Sequence, residues 1–119
     1  RCLNKRGLDS LMDFIATPTF SRKRKKLLSE KEFDAFQTDI SSNPEGGVVI
    51  TGTRGLRKIR VRREGGGKSG GFRIIYFWVV SRDTILLLDV YAKSDQANLA
   101  ESEKKKLAGL RDEYLENLK

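Results

Sequence analysis

Residues 55–78 read GLRKIRVRREGGGKSGGFRIIYFW, a cation-rich segment followed by a glycine-rich connection and a hydrophobic segment. Side chains of a strand alternate between the two faces of a sheet. Lys58, Arg60 and Arg62 therefore share one face, with successive positions about 7 Å apart. Because three cations at that spacing suit a polyanion better than a protein core, the stretch predicts two neighbouring strands with an anion-binding face.

The length and charge of the chain limit its class. With 119 residues it is long enough for one compact domain, and we expect residues 1–12 to be an N-terminal extension or cloning remnant and residues 13–119 to form that domain. The net charge of +8 favours nucleic acid, a ribosome or an acidic protein as partner. The longest apolar run, residues 74–80, has the length of a strand, so we expect no membrane span.

Cysteine and histidine usage excludes several kinds of chemistry. Cys2 is the single cysteine, so the chain has no internal disulfide and no thiolate zinc cluster, and a reducing cytoplasm fits. Histidine is absent, which excludes imidazole as general acid or base. We therefore expect neither a metal nor another cofactor.

The first third of the chain predicts a strand followed by a helical hairpin. Apolar side chains alternate over residues 13–17, and Pro18 ends the strand. A first helix then carries the basic run SRKRKK, residues 21–26, mostly on its exposed side. Ser29 and Glu32 stand at capping-box spacing, which predicts the start of a second helix.

The rest of the chain predicts strands and one further helix. Extended patterns cover residues 48–51, 56–63, 71–81 and 84–92. Their short connections suit an antiparallel meander of three to four strands. Asn98 and Glu101 have capping-box spacing before a C-terminal helix. The predicted fold is α+β, an N-terminal strand and helical hairpin followed by the meander and the C-terminal helix, with the helices on one sheet face.

Strand alternation brings a polar cluster to one face of this sheet. Its members are Lys58, Arg60, Arg73, Tyr91 and Lys93. On the last strand, unbroken alternation places Asp89 and Tyr91 on the polar face and Leu86, Leu88 and Val90 on the opposite one. This pattern does not determine which residues of neighbouring strands pair with each other.

The chemistry of such a cluster suits RNA cleavage. RNA supplies its own nucleophile, because the 2′-hydroxyl attacks the adjacent phosphorus and leaves a cyclic phosphate and a free 5′-hydroxyl. The protein needs only alignment, proton transfer and charge stabilisation, and this scheme requires no metal. Arginine binds phosphate through two donors and stays protonated, whereas a lysine crowded by cations loses its proton more readily.

The chain resembles the RelE/ParE superfamily of toxin-antitoxin toxins, most closely its HigB-type branch, through GTRGLRKIRVRREGGGKSGGFRIIYF (residues 52–77) and LLLDVYAKSDQANLAESEKKKL (residues 86–107). Family members of this kind are ribosome-dependent messenger-RNA endonucleases held inactive by a co-expressed antitoxin, often of the helix-turn-helix type. The resemblance therefore implies a RelE-like fold and a cytoplasmic toxin that cuts messenger RNA in the ribosomal A site. The implied partners are the antitoxin, the ribosome and messenger RNA.

The resemblance also implies catalytic residues. The family's lysine pattern on one strand matches Lys58 and Arg60, and its arginine on the next strand matches Arg73. Arginine at position 60 makes proton abstraction there less plausible, so Lys58 or Lys93 is the candidate base. The family's C-terminal arginine and tyrosine have no clean counterparts, and Tyr91 with Lys93 is assigned in their place.

Further cations are assigned to RNA or ribosome binding. They are Arg22, Lys23, Lys25, Lys26, Arg54, Arg57, Arg62 and Lys68. Simpler interpretations stay open: an ion pair between Arg73 and Asp89, a packing role for Tyr91, and a solvated helix face for residues 21–26. For the whole protein the alternatives are a ParE-like DNA gyrase inhibitor and a non-catalytic RNA- or ribosome-binding module.

Overall fold

A computed structural model of the chain describes residues 12–61, 71–92 and 99–118. Its elements are β1 (Asp13–Ala16), α1 (Pro18–Leu27), α2 (Glu30–Ser42), β2 (Val48–Val49), β3 (Arg57–Val61), β4 (Phe72–Val79), β5 (Thr84–Ala92) and α3 (Glu101–Leu118). A short 3₁₀ turn, Val80–Arg82, joins β4 to β5. Three predicted site residues, Arg62, Lys68 and Lys93, lie outside the described residues, as does nearly all of the predicted extension.

The five strands form one sheet in the order β1-β5-β4-β3-β2. Strands β2 to β5 pair antiparallel with their neighbours, which confirms the predicted meander. The N-terminal strand β1 pairs parallel with β5, so β5 lies inside the sheet and β4 is its central strand. The α+β class and the order of elements are as predicted, although the strand expected at residues 48–51 is only two residues long.

The two helices of the hairpin begin at side-chain caps. Thr17 Oγ1 accepts a hydrogen bond from Phe20 N at 3.1 Å. Ser29 Oγ accepts from Glu32 N at 3.0 Å, and Glu32 Oε1 accepts from Ser29 N at 2.8 Å. Both bonds of the predicted capping box are therefore present, and each satisfies a donor that the helix leaves without an internal partner.

The start of α3 differs from the prediction. The helix begins at Glu101, and Glu103 Oε1, not Glu101, accepts from the Ala100 backbone at 3.3 Å. The predicted box of Asn98 and Glu101 is therefore wrong by two residues, and Asn98 itself lies outside the described residues. Glu101 and Glu103 both lie in the first turn, where acidic side chains stabilise the positive end of a helix.

The helices cover both faces of the sheet, which corrects the expectation of a single covered face. Phe20, Leu28, Phe36 and Ile40 of the hairpin pack with Tyr76 and its neighbours on one face. Leu107 of α3 packs with Leu86 and Leu88 on the other. A strand between two helical layers buries both rows of side chains, so β5 is apolar almost throughout and alternation is hard to read from it.

A bulge in β5 changes the phase of its side chains. Ile75 pairs with Asp89 and Tyr76 with Leu87, so Leu88 is an extra residue opposite β4. Leu88 consequently packs on the α3 face with Leu86, whereas Val90 packs on the hairpin face. The prediction that Leu86, Leu88 and Val90 share one face was therefore wrong, because it assumed an unbroken alternation.

The described ranges contain no helix long and apolar enough to cross a membrane. Within the same ranges no group of three or more Cys, Asp or Glu side chains stands close enough together to hold a metal ion.

Candidate active site

Arg60, Arg73 and Tyr91 form a row across three adjacent strands. The register pairs Arg60 of β3 with Arg73 of β4, and Arg73 with Tyr91 of β5. Directly opposed residues of antiparallel strands point to the same face. Tyr91 belongs to the core beneath α3, so the row lies on the α3 face of the sheet. The structure therefore confirms the prediction that these three residues lie next to one another on one sheet face.

Lys58 lies on the same sheet face as this row, further along β3. It lies two residues before Arg60 on β3, about 7 Å along the strand, and pairs with Ile75 and Val48. Its side chain is half-buried. The Lys58 ammonium makes no ion pair within the part of the chain that the structure describes. Four of the five predicted catalytic residues thus share one face, and the fifth, Lys93, falls outside the described residues.

Two arginines stand directly opposite each other in the row. Like charges opposed across a strand pair destabilise it, typically by some tenths of a kcal/mol to about 1 kcal/mol. The half-buried Arg73 has one hydrogen bond, from Nη1 to Phe72 O at 3.5 Å, at the limit of bonding distance. No acidic side chain in the described ranges pairs with Arg73. An anion bound at this face would give the Arg73 guanidinium the charged partner that it lacks in the described ranges, so the arrangement favours a phosphate ligand.

Tyr91 is a buried phenol with an unused hydroxyl. The residue is 5% exposed, and its Oη has no hydrogen-bond partner among the described residues. Burial raises the pKa of Tyr91 above its ordinary value of 10.0; Arg73 opposes this shift, and Asp89 and Glu103 add to it. The phenol is therefore neutral near pH 7 and can donate a hydrogen bond or proton to a ligand on the α3 face. The Tyr91 ring packs in the core beneath α3, as the simpler interpretation expects.

Asp89 pairs with α1 and not with Arg73. Its Oδ1 lies 2.9 Å from Lys23 Nζ and accepts from Val90 N at the same distance. The alternative of an Arg73–Asp89 ion pair was therefore wrong. Lys23, predicted to bind RNA, instead neutralises a carboxylate that is almost buried at the bulge. This pair joins α1 to β5.

The other predicted RNA-binding cations are spread over the molecule. Arg57 faces away from the row, where Nη1 donates to Gly47 O at 2.7 Å and to Glu45 O at 3.1 Å. It anchors the loop before β2. Exposed cations of α1 lie on the hairpin side of the sheet; they are Arg22, Lys25 and Lys26. Arg54 is exposed on the α3 side, where it lies 3.4 Å from Asp112.

Arg111 of α3 is a buried cation that the sequence analysis did not identify. It is 2% exposed, and Nη1 donates to Thr53 O at 2.6 Å and to Arg54 O at 3.1 Å. Its guanidinium carbon lies 5.1 Å from the centre of the Phe77 ring. Arg111 therefore ties α3 to the turn before β3. The available signal was its spacing from Leu107, four residues, which places a cation in the apolar stripe.

Comparisons with known proteins show the fold and the family of the chain. A family model described as the RelE toxin of the RelE/RelB toxin-antitoxin system matches residues 16–118. The chain is also similar in structure to a mutant of E. coli toxin RelE in the free state, in which two arginines are replaced by alanine. The TM-score is 0.56 at 15% sequence identity, with 84% of this chain and 96% of that chain covered. The structural likeness establishes the fold, and on the family match the chain belongs to the RelE family of toxins of toxin-antitoxin systems.

Proposed function

We propose that the protein is a ribosome-dependent endoribonuclease that cuts messenger RNA in the ribosomal A site. Membership of the RelE toxin family supports this activity. The observation that carries the proposal is the row of Arg60, Arg73 and Tyr91, in which two opposed cations adjoin a buried hydroxyl without a partner in the described ranges. That arrangement suits a phosphodiester better than it suits a folded core.

The proposed reaction needs no group beyond the RNA and these side chains. The 2′-oxygen bonds to the adjacent phosphorus and the bond from phosphorus to the 5′-oxygen breaks. The products are a 2′,3′-cyclic phosphate and a 5′-hydroxyl. One proton leaves the 2′-hydroxyl and one joins the departing 5′-oxygen. The protein therefore supplies a proton acceptor, a proton donor and positive charge at the phosphate.

The side chains divide these roles by their chemistry. Arg60 and Arg73 bind the phosphate oxygens and stabilise the charge of the transition state, because a guanidinium stays protonated. Lys58 or Lys93 accepts the proton of the 2′-hydroxyl. Tyr91 donates to the leaving oxygen, because its phenol keeps its proton near pH 7. The ribosome adds alignment, since a site without histidine benefits from a substrate held in position.

Family membership implies an antitoxin partner. We propose that this antitoxin is of the helix-turn-helix type and that it binds the toxin through an acidic segment, because the toxin chain carries a net charge of +8. We further assign the toxin to the HigB-type branch on the two sequence segments quoted above, and to the cytoplasm, where its substrate is translated.

Primer extension on a defined messenger RNA in a purified translation system tests the activity. We expect discrete cuts at A-site codons when the wild-type protein and ribosomes are both present. Cuts in RNA without ribosomes would support nuclease activity and contradict its dependence on the ribosome. Intact RNA in the presence of folded protein would contradict the proposal, and gyrase-dependent DNA breaks in expressing cells would then favour the ParE-like alternative.

A further inference from the structure

A cleft of about 280 Å³ lies beside the proposed active site, between β2 and the start of α3. Its lining residues are Val48, Val49, Ile50, Thr51, Lys58, Leu99 and Lys104. Lys58 belongs to the cluster already described, and the others do not. Ile50 and Leu99 are part of the core beneath α3, so the cleft has an apolar floor and two lysines in its walls.

Lys104 is held toward this cleft, unlike its neighbours. Its side chain is 22% exposed, whereas Lys105 and Lys106 are exposed residues of the same helix. Its Nζ lies 3.3 Å from Glu101 Oε2, three residues earlier in α3. An ion pair of that spacing contributes only about 0.2 to 0.5 kcal/mol, so it does not by itself account for a lysine side chain that is largely covered. The cleft lining contains no acidic residue.

The apolar wall of the cleft includes hydrophobic side chains that are exposed to solvent. Val48 is 71% exposed on a two-residue edge strand. It pairs directly with Lys58, so its side chain lies on the same sheet face as Arg60 and Arg73. Proteins bind single-stranded nucleic acid by combining cations that contact phosphates with side chains, most often aromatic, against which bases pack. This cleft offers two lysines for a phosphate and an aliphatic surface for a base.

We propose that this cleft binds the nucleotide next to the scissile phosphate, with its phosphate on Lys104 and Lys58 and its base against Val48. The assignment rests on the proposed function, because it takes the row of Arg60, Arg73 and Tyr91 to hold the reacting phosphate. Lys58 borders both sites. An RNA strand can therefore run from the row into the cleft without leaving the α3 face of the sheet.

Binding of an uncleavable RNA tests the cleft separately from the chemistry. The probe is a fluorescent single-stranded RNA of about a dozen nucleotides with 2′-O-methyl groups throughout, followed by anisotropy over a series of salt concentrations. Lys104→Gln should weaken binding about fivefold and reduce the salt slope by about 0.7, the value for one lost phosphate contact. The matched control Lys105→Gln, on the same helix, should leave both quantities unchanged.

Two further variants separate the cleft from indirect effects. Glu101→Gln removes the carboxylate that Lys104→Gln would leave unpaired, and Lys104→Gln should still weaken binding in that background. Val48→Ser should weaken binding about threefold, since it removes the apolar contact to the base. Val80→Ser is its control, because Val80 is 64% exposed but lies in the turn between β4 and β5.

The outcomes distinguish this inference from the proposed function. Equal RNA affinity in Lys104→Gln and Lys105→Gln, or absence of RNA binding by the folded wild-type protein, would overturn the cleft assignment. The cleft variants could weaken RNA binding as predicted while the wild-type protein fails to cut messenger RNA on ribosomes. That result would contradict the nuclease proposal and would still support the cleft as an RNA-binding site.

Discussion

Tyr76 and Tyr91 are both buried, but their hydroxyl groups have opposite surroundings. Tyr76 Oη donates to Pro44 O at 2.8 Å and accepts from Gly47 N at 2.9 Å. Tyr91 Oη has no partner within the described ranges. A buried polar group without a partner costs about 1 to 3 kcal/mol. The unpaired Tyr91 hydroxyl therefore lowers the stability of the folded chain. A substrate that accepts a hydrogen bond from it would remove this penalty, which is consistent with the role that we propose for Tyr91.

Replacement of each tyrosine by phenylalanine should have opposite effects on stability. Tyr91→Phe should raise the free energy of unfolding by up to about 1 kcal/mol while lowering the cleavage rate, because it removes an unsatisfied hydroxyl that acts only on substrate. Tyr76→Phe should lower the free energy of unfolding by about 1 to 2 kcal/mol. Urea unfolding followed by the fluorescence of Trp78, the sole tryptophan, measures both. A destabilised Tyr91→Phe would contradict this account.

The same two residues predict alkaline instability. Burial raises the pKa of Tyr76 and of Tyr91 above 10.0. Well below pH 10 both phenols are neutral in the folded and in the unfolded chain, so their titration does not make stability depend on pH there. Above about pH 10 the unfolded chain releases its protons first, so stability falls as pH rises. Urea midpoints between pH 8 and 11 should show this fall, and it should be less steep in Tyr91→Phe.

At the scale of elements, α3 is attached to the sheet by Arg111 as well as by apolar packing. Its guanidinium binds two backbone carbonyls in the turn before β3. That turn contains Arg54 with φ of 57° and Gly55 with φ of 109°, in the left-handed region that favours glycine. Arg111 therefore holds a strained turn in place at the start of the strand that carries Lys58 and Arg60.

Arg111→Met should loosen this attachment. The variant leaves two carbonyl groups without their donor, and we expect the free energy of unfolding to fall by about 2 kcal/mol. Amide exchange should accelerate in residues 53–56 and in α3 more than in α1. Lys105→Met, an exposed position of the same helix, is the control. Unchanged exchange in Arg111→Met would show that apolar packing alone fixes α3.

The elements were predictable to different degrees, for physical reasons. The second helix was predicted from Ser29 and Glu32 because a capping box is local chemistry. The strand β5 was predicted over its full length from the extended pattern of residues 84–92. The bulge at Leu88 was not, because the segment LLLDV contains no glycine or proline and its register depends on β4. Alternation therefore grouped Arg60 and Arg73 correctly, while the phase of β5 before the bulge was wrong.

At the scale of the whole molecule, the sheet separates two basic surfaces. Lys58, Arg60 and Arg73 lie on the α3 face, where we propose cleavage, and the exposed cations of α1 lie beyond the opposite face. A net charge of +8 favours association with polyanions over much of the surface, whereas the proposed chemistry is confined to one side. The antitoxin implied by the family has to neutralise this charge or cover that side.

The most direct test of the central claim is the single-turnover cleavage rate of Arg73→Ala on programmed ribosomes, beside Arg82→Ala as control. Arg82 is exposed beyond the opposite end of β4. We expect Arg73→Ala to cut about 100 to 1,000 times more slowly, because it loses charge stabilisation of the transition state. Its free energy of unfolding should stay close to that of the wild type, since Arg73 makes one hydrogen bond of 3.5 Å within the described ranges. Wild-type cleavage by folded Arg73→Ala would contradict the account.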